Sequence, residues 1–345
     1  MPTPKHSAAL PAGMLTALAA TLCGCALGPG ADARRLYGDV RRAAVFVLAD
    51  GRHQGSGFFV DPEGLVATAA HMVKDTGKSL EVVSPAAGRL VAERVAIDLA
   101  HDVALLRVPR RAEPYPALAV AERVPPPGRQ VFLFGDPVFR HRLFLAGTVA
   151  LPQAVYDYNP GTGAYTRAYY VVGTSPEGTS GGCWVDRRGR VVGVQSGYLN
   201  HPKQTPAGIA MVAPPDAIRE LLATRTSPQV ATLGTRLDEL WTQHPGFVAR
   251  FPKGTTGILT VVPFKDGPVA KAGLTKESLI TAIDGTPVAY NEELIAIVRA
   301  KRPSDEVTLE VLDPGGKAPR SVKVRLGTIG GAEPAAQKAA SPPSK

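Results

Sequence analysis

Gly178-Thr179-Ser180-Gly181-Gly182 is the stretch that decides how the rest of this chain is read. Ser180 stands among glycines, which let a hydroxyl sit exposed on a tight turn while another backbone approaches closely. A serine is a weak nucleophile at its own pKa, so the stretch carries chemistry only if a base and an orienting acid activate it. Two upstream segments offer them. Thr68-Ala69-Ala70-His71 follows Gly55-Ser56-Gly57-Phe58-Phe59-Val60, and His101-Asp102-Val103-Ala104-Leu105-Leu106 comes after it. His71, Asp102 and Ser180 are therefore the candidate base, acid and nucleophile. Asp98 competes for the acid's place, but only Asp102 directly precedes an apolar strand. The remaining histidines, His53, His101, His141, His201 and His244, fit no pattern and read as surface groups.

The chain order His, Asp, Ser is that of the chymotrypsin-like double barrel, and differs from the orders of subtilisin and the α/β-hydrolases. The local pattern agrees. From Val40 to Gly197 short apolar runs alternate with turn residues, as in Ala44–Leu48 before Asp50-Gly51 and Gly57–Val60 before Asp61-Pro62-Glu63-Gly64. Asp-Gly between apolar runs signals a hairpin. Further runs lie at 103–108, 131–134, 143–151, 169–172 and 191–194, with no long helix between them, which argues an antiparallel barrel or sandwich rather than a parallel α/β sheet. A helix over Pro214–Thr224 closes the region, with Ile218, Leu221 and Leu222 on one face. A second pattern follows: strands at 257–262 and 278–283, a short helix at 268–272, a helix from an Asn291 N-cap to Arg299, and strands at 307–312 and 321–326. The reading is mainly β: a double β-barrel, then a smaller α+β domain. The expected boundaries are a signal at 1–24, a linker at 25–37, the barrels at 38–224, a linker at 225–232, the second domain at 233–327 and a disordered tail at 328–345.

At 345 residues the chain has room for about two domains, and 44% apolar with 20% charged residues suits a buried core. The formal charge of +9 is scattered, with no basic run carrying interleaved aromatics, so no nucleic-acid partner is expected. Lys5 and His6 precede an apolar stretch from Ala8 to Leu22, the form of an export signal. It ends in Leu22-Cys23-Gly24-Cys25, which resembles the bacterial lipoprotein box with Cys25 as the lipidated residue; Cys23 is a departure inside that box. Cleavage with secretion, or an uncleaved anchor, are the alternatives. Cys183 would then be the one remaining thiol, leaving no disulfide framework and no metal set; it reads as a small buried hydrophobe.

Together these motifs resemble the HtrA/Deg family, a chymotrypsin-like serine protease domain followed by a PDZ domain. The resemblance covers roughly residues 38–327. It rests on the segments around His71, Asp102 and Ser180, on Phe134-Gly135-Asp136-Pro137 and Gly147-Thr148-Val149, and on Gly257-Ile258-Leu259, Pro268-Val269-Ala270-Lys271-Ala272-Gly273-Leu274 and Ile283-Asp284-Gly285.

The resemblance implies a serine endopeptidase of the bacterial cell envelope on the periplasmic side, and the lipoprotein-box motif with Ala26 after Cys25 implies a lipid anchor at the outer membrane. Misfolded or unfolded polypeptides would be its substrates, with no cofactor and no metal. Backbone N–H groups of Gly178 and Ser180 would form the oxyanion hole, and Thr174, Gln195, Ser196 and Gly197 would line the primary pocket, favouring a small or aliphatic side chain. Leu233, Gly234 and Thr235 would catch C-terminal peptides. A short loop at 49–54 favours a homotrimer or monomer over a cage. Glu177, Thr179 and Cys183 stand where the family usually has Pro, Asn and Pro, and Thr235 departs from an aliphatic position. These departures leave a second expectation beside the first, a catalytically silent chaperone or adaptor. A second domain that only packs on the barrels is likewise left open.

Overall fold

Asp50 and Gly51 both take positive φ, 49° and 74°, and this left-handed pair turns β1 (Ala44–Ala49) back into β2 (Arg52–Phe59). Asp tolerates that region and Gly has no Cβ to oppose it, which is why the dipeptide makes a hairpin. In the computed structural model, which describes residues 29–75, 79–137, 142–200 and 206–329, four more strands complete the first barrel. They are β3 (Leu65–Thr68), β4 (Leu80–Ser84), β5 (Gly88–Asp98) and β6 (Val103–Arg107). Pairing runs β1-β2-β3-β6-β5-β4, and β4 closes on β1. The second barrel comprises β7 (Gln130–Gly135), β8 (Leu143–Asn159), β9 (Ala164–Val172), β10 (Cys183–Val185), β11 (Val191–Asn200) and β12 (Pro206–Ala213), and closes by pairing β10 with β7. The double barrel is thus as the sequence predicts.

Closure leaves neither barrel an open sheet edge, and each fills its interior with its own side chains. Phe58, Phe59, Leu105 and Leu106 are fully buried in the first; Trp184, Tyr169 and Leu133 in the second. Each such side chain contributes about 1.5–3 kcal/mol of hydrophobic stabilisation. The two large residues with polar handles satisfy them: Trp184 Nε1 donates to Gln195 Oε1 at 2.8 Å and Tyr169 OH donates to the Val192 carbonyl at 3.0 Å.

Three sequence expectations change. The linker expected at 25–37 and the strand region expected from Val40 give way to helix α1 (Pro29–Ala43), which buries Leu36, Val40 and Ala43. Those three lie at i, i+4 and i+7, a helical stripe in an otherwise polar run. The linker at 225–232 and the end at 327 also shift, because β13 (Ala231–Thr232) pairs with β20 (Gly327–Thr328). The helix over Asn291–Arg299 exists, but its N-cap is Tyr290, not Asn291; Glu293 Oε2 accepts from the Tyr290 and Ala289 amides at 3.1 and 2.8 Å. The expected helix at 214–224 is α2 (Pro215–Thr224). The signal at 1–24, Cys25, His141, His201 and the tail from 330 lie outside the described residues.

The second domain is a sheet of β14 (Thr235–Glu239), β15 (Ile258–Pro263), β16 (Leu279–Ile283), β18 (Glu306–Leu312) and β19 (Arg320–Arg325), with β17 (Thr286–Pro287) paired to β16. Its helices are α3 (Pro245–Val248), α4 (Pro268–Lys271) and α5 (Asn291–Arg299). Leu294 and Val298 of α5 pack on Ile280, Ile283 and Leu309. The β8–β9 hairpin of the second barrel reaches this core. Tyr156 and Tyr165 pack against it, and Arg299 of α5 donates to the Tyr165 carbonyl at 2.6 Å. Burial pulls the Arg299 guanidinium down to about 10, against the fields of Tyr156 and Asp98, so it stays charged at neutral pH.

Candidate active site

Ser180 sits on a loop held at both ends. Its carbonyl accepts from Ser56 N at 2.8 Å, Gly181 N donates to the Gln195 carbonyl at 2.8 Å, and Gly182 N donates to the Thr179 carbonyl at 2.9 Å. Gly181 has φ +79°, and a Cβ there would lie 2.1 Å from the Ser56 carbonyl oxygen, so only glycine brings the Ser180 loop this close to β2. Gly178, with φ +92°, also needs glycine, and Ser56 Oγ lies 3.4 Å from its carbonyl oxygen. Thr179 is buried, its amide and hydroxyl both donating to the Pro176 carbonyl at 3.1 and 2.7 Å, while Glu177 is exposed.

His71 occupies a single 3-10 turn, Ala70–Met72, after β3, and Asp102 the turn before β6. Asp102 is fully buried with φ 57°. One carboxylate oxygen accepts from the His71 amide at 2.8 Å and the other from His71 Nδ1 at 2.8 Å, so the carboxylate grips the residue by backbone and ring together. This fixes the proton on Nδ1 and leaves Nε2 as the basic nitrogen. Burial opposes a charge on the imidazole, but the field and hydrogen bond of Asp102 outweigh it and Lys74, and the pKa sits above the ordinary 6.5. Met72, the next residue, reaches the Ser180 loop: a Cβ on Gly55 would meet Met72 Sδ at 2.4 Å and the Ser180 carbonyl oxygen at 2.7 Å.

Asp98 is taken by another partner. It accepts from the Ala100 and His101 amides and from His101 Nδ1 at 2.6 Å. His101 is therefore half-buried and paired rather than a surface group. His53 is exposed as expected, and His244 caps α3 through Nδ1.

The residues expected to line the pocket separate. Thr174 is exposed, Gly197 half-buried, and the side chains of Gln195 and Ser196 are committed elsewhere. Gln195 serves Trp184 and donates to the Gly197 carbonyl at 2.6 Å. Ser196 Oγ donates to Asp102 at 2.6 Å, which makes it a holder of the acid instead of a wall. Asn159, which the sequence reading missed, donates to the same carboxylate oxygen at 3.2 Å. Nothing local marks Asn159, since its partner is far away in the chain. Cys183 is buried in β10 and burial pushes its thiol up to about 12, so it stays protonated as the hydrophobe expected.

Leu233, Gly234 and Thr235 come together at the start of β14, the outer strand of the second sheet. A groove between β14 and α5 is lined by Leu233, Thr235, Leu237, Ile295 and Val298. Tyr165 lies in it, its hydroxyl donating to the Leu237 carbonyl at 3.0 Å and accepting from the Leu237 amide at 2.8 Å, and a cavity of only about 20 Å³ remains.

Residues 55–194 match the family model described as a trypsin-like peptidase domain. A probable periplasmic serine endoprotease, DegP-like, from Rhizobium meliloti is 28% identical over 284 residues, covering 81% of this chain and 54% of the relative. Over most of its length the chain is similar to proteins named as DegP-like periplasmic serine endoproteases. Serine protease HTRA1 from Xenopus laevis, another relative, is 28% identical over 265 residues, 71% of this chain and 54% of that protein. The solved structure of the HtrA-type protease AlgW with a decapeptide shares the fold at TM-score 0.60 and 17% identity, covering 86% of this chain and 98% of that one. The chain spans about half the length of the curated relatives it matches.

Proposed function

We propose that this chain is a serine endopeptidase of the bacterial periplasm that cleaves unfolded polypeptides through an acyl-enzyme. The observation that carries the reading is the buried Asp102 holding His71 by both amide and ring, beside the Ser180 loop. Ser180 Oγ would attack the peptide carbonyl as His71 Nε2 takes its proton. The tetrahedral oxyanion would be met by the N–H groups of Gly178 and Ser180, each worth about 2.7–4 kcal/mol in such sites. Collapse would expel the amine with the proton from His71, and water would repeat the sequence to free Ser180. The periplasmic setting is supported by the relatives' names and by the sequence pattern of an export signal before Cys25. Anchorage at the outer membrane through Cys25 rests on the Leu22–Cys25 motif and is tested by loss of lipid labelling in Cys25→Ser.

Labelling with a fluorophosphonate probe tests the activity. Wild type is expected to label and to degrade casein, and Ser180→Ala to do neither; a wild type that does neither is the silent adaptor. Peptide capture at Leu233–Thr235 has the outer strand β14 in its favour and Tyr165 against it, because an added strand needs the Leu237 groups that the tyrosine holds. A C-terminal peptide is therefore expected to bind Tyr165→Ala more tightly than wild type by calorimetry. Equal affinities would remove Tyr165 from the binding equilibrium.

A further inference from the structure

We infer that Asn159, at the end of β8, is a positioning residue for the catalytic carboxylate, an inference that rests on the proteolytic reading above. Asn159 is buried, with 8% of its surface exposed, and its amide is used on both sides. Nδ2 donates to Asp102 Oδ2 at 3.2 Å and to Ser196 Oγ at 3.1 Å, while Oδ1 accepts from the Gly161 amide at 2.8 Å. Only one orientation of the amide satisfies this set, because a carboxylate oxygen cannot donate and a backbone N–H cannot accept.

Three donors from three different parts of the fold therefore converge on Asp102 Oδ2. They are His71 Nδ1 after β3, Ser196 Oγ on β11 and Asn159 Nδ2 on the β8–β9 hairpin. Turning the carboxylate away from the imidazole would break all three at once. The hairpin tip touches the base as well: a Cβ on Gly161 would lie 3.0 Å from His71 Cβ and 3.1 Å from Cγ. If Asn159 served only to shape this tip, the bond from Gly161 to Oδ1 would suffice and Nδ2 would be dispensable. The two bonds from Nδ2 tie it to the acid.

Asn159→Asp separates these roles in the full-length protein. It is close in shape, keeps an oxygen for the Gly161 amide, and puts an acceptor where Asp102 and Ser196 require a donor. The expected result with casein is a kcat about 10-fold lower with KM within about twofold, the size of a lost hydrogen bond to a charged group. The His71 pKa, followed by NMR titration of the imidazole against the fields of Asp102 and Lys74, is expected to rise as a second carboxylate comes near. Unchanged kcat with an unchanged His71 titration, or a loss confined to KM, would overturn the inference. Should Asn159→Asp melt below the assay temperature, Asn159→Ser is read by the same kcat-against-KM split. A wild type that neither labels nor cleaves would refute the protease reading instead, and the His71 titration alone would still decide what Asn159 does.

Discussion

Two histidine–aspartate pairs lie side by side in this fold, and they look alike at close range. Asp98 meets His101 Nδ1 at 2.6 Å and Asp102 meets His71 Nδ1 at 2.8 Å; both carboxylates are buried and both imidazoles are 20% exposed. The difference lies in what surrounds them. Asp98 spends its other oxygen on the Ala100 and His101 amides and so holds the turn that presents Asp102. Asp102 reaches across the chain to the turn that abuts the Ser180 loop, and collects Ser196 and Asn159 on the way. An ion pair of good geometry therefore does not by itself mark a candidate site; the third and fourth partners set Asp102 apart.

Substitution separates the pairs. Asp102→Asn is expected to cost about 10⁴ in kcat, because an amide there holds the wrong imidazole tautomer. The acid limb of wild-type kcat/KM is expected above pH 6.5, since Asp102 raises the His71 pKa and the base works only when neutral. A limb at or below that value would mean the carboxylate does not govern the ring. Ser196→Ala should cost about 10-fold in kcat, as one hydrogen bond to the charged acid is lost. Asp98→Asn should leave kcat within about threefold while lowering stability by about 1–2 kcal/mol in urea unfolding. A large loss of activity in a well-folded Asp98→Asn would erase the distinction between the pairs.

A third carboxylate sharpens it further. Asp136 is buried beside Arg142, whose Nε lies 3.2 Å away, and burial outweighs that arginine to push its pKa up to about 6. Its native pKa lies above the unfolded value of about 4, so the fold favours the protonated form. Stability from this group is then full below about pH 4 and is lost as pH rises to about 6. Asp136→Asn should flatten that window in a series of pH-dependent melts, a smaller effect than any above.

Much of this was legible beforehand, and the reason is local. His71, Asp102 and Ser180 each sit inside a distinctive run of neighbours, such as Gly181 after Ser180 or the apolar strand after Asp102. The hairpin at Asp50-Gly51 and helix α2 announce themselves through turn and cap residues. Ser196 and Asn159 do not, because their partner is 94 and 57 positions away, and a lone Ser or Asn looks like any other. Helix α1 was hidden by its charge: three buried residues in a polar run read as a linker until something packs on them.

The tyrosine that fills the groove beside β14 has one more consequence. An outer strand carries unpaired N–H and C=O groups, and at high concentration these invite a strand from another copy. Tyr165 covers such a pair at Leu237 with a single hydroxyl, which bonds both groups and yet cannot propagate a ladder. The chain thus covers part of that edge with its own barrel, and the cover at Leu237 lasts only while the β8–β9 hairpin stays against β14.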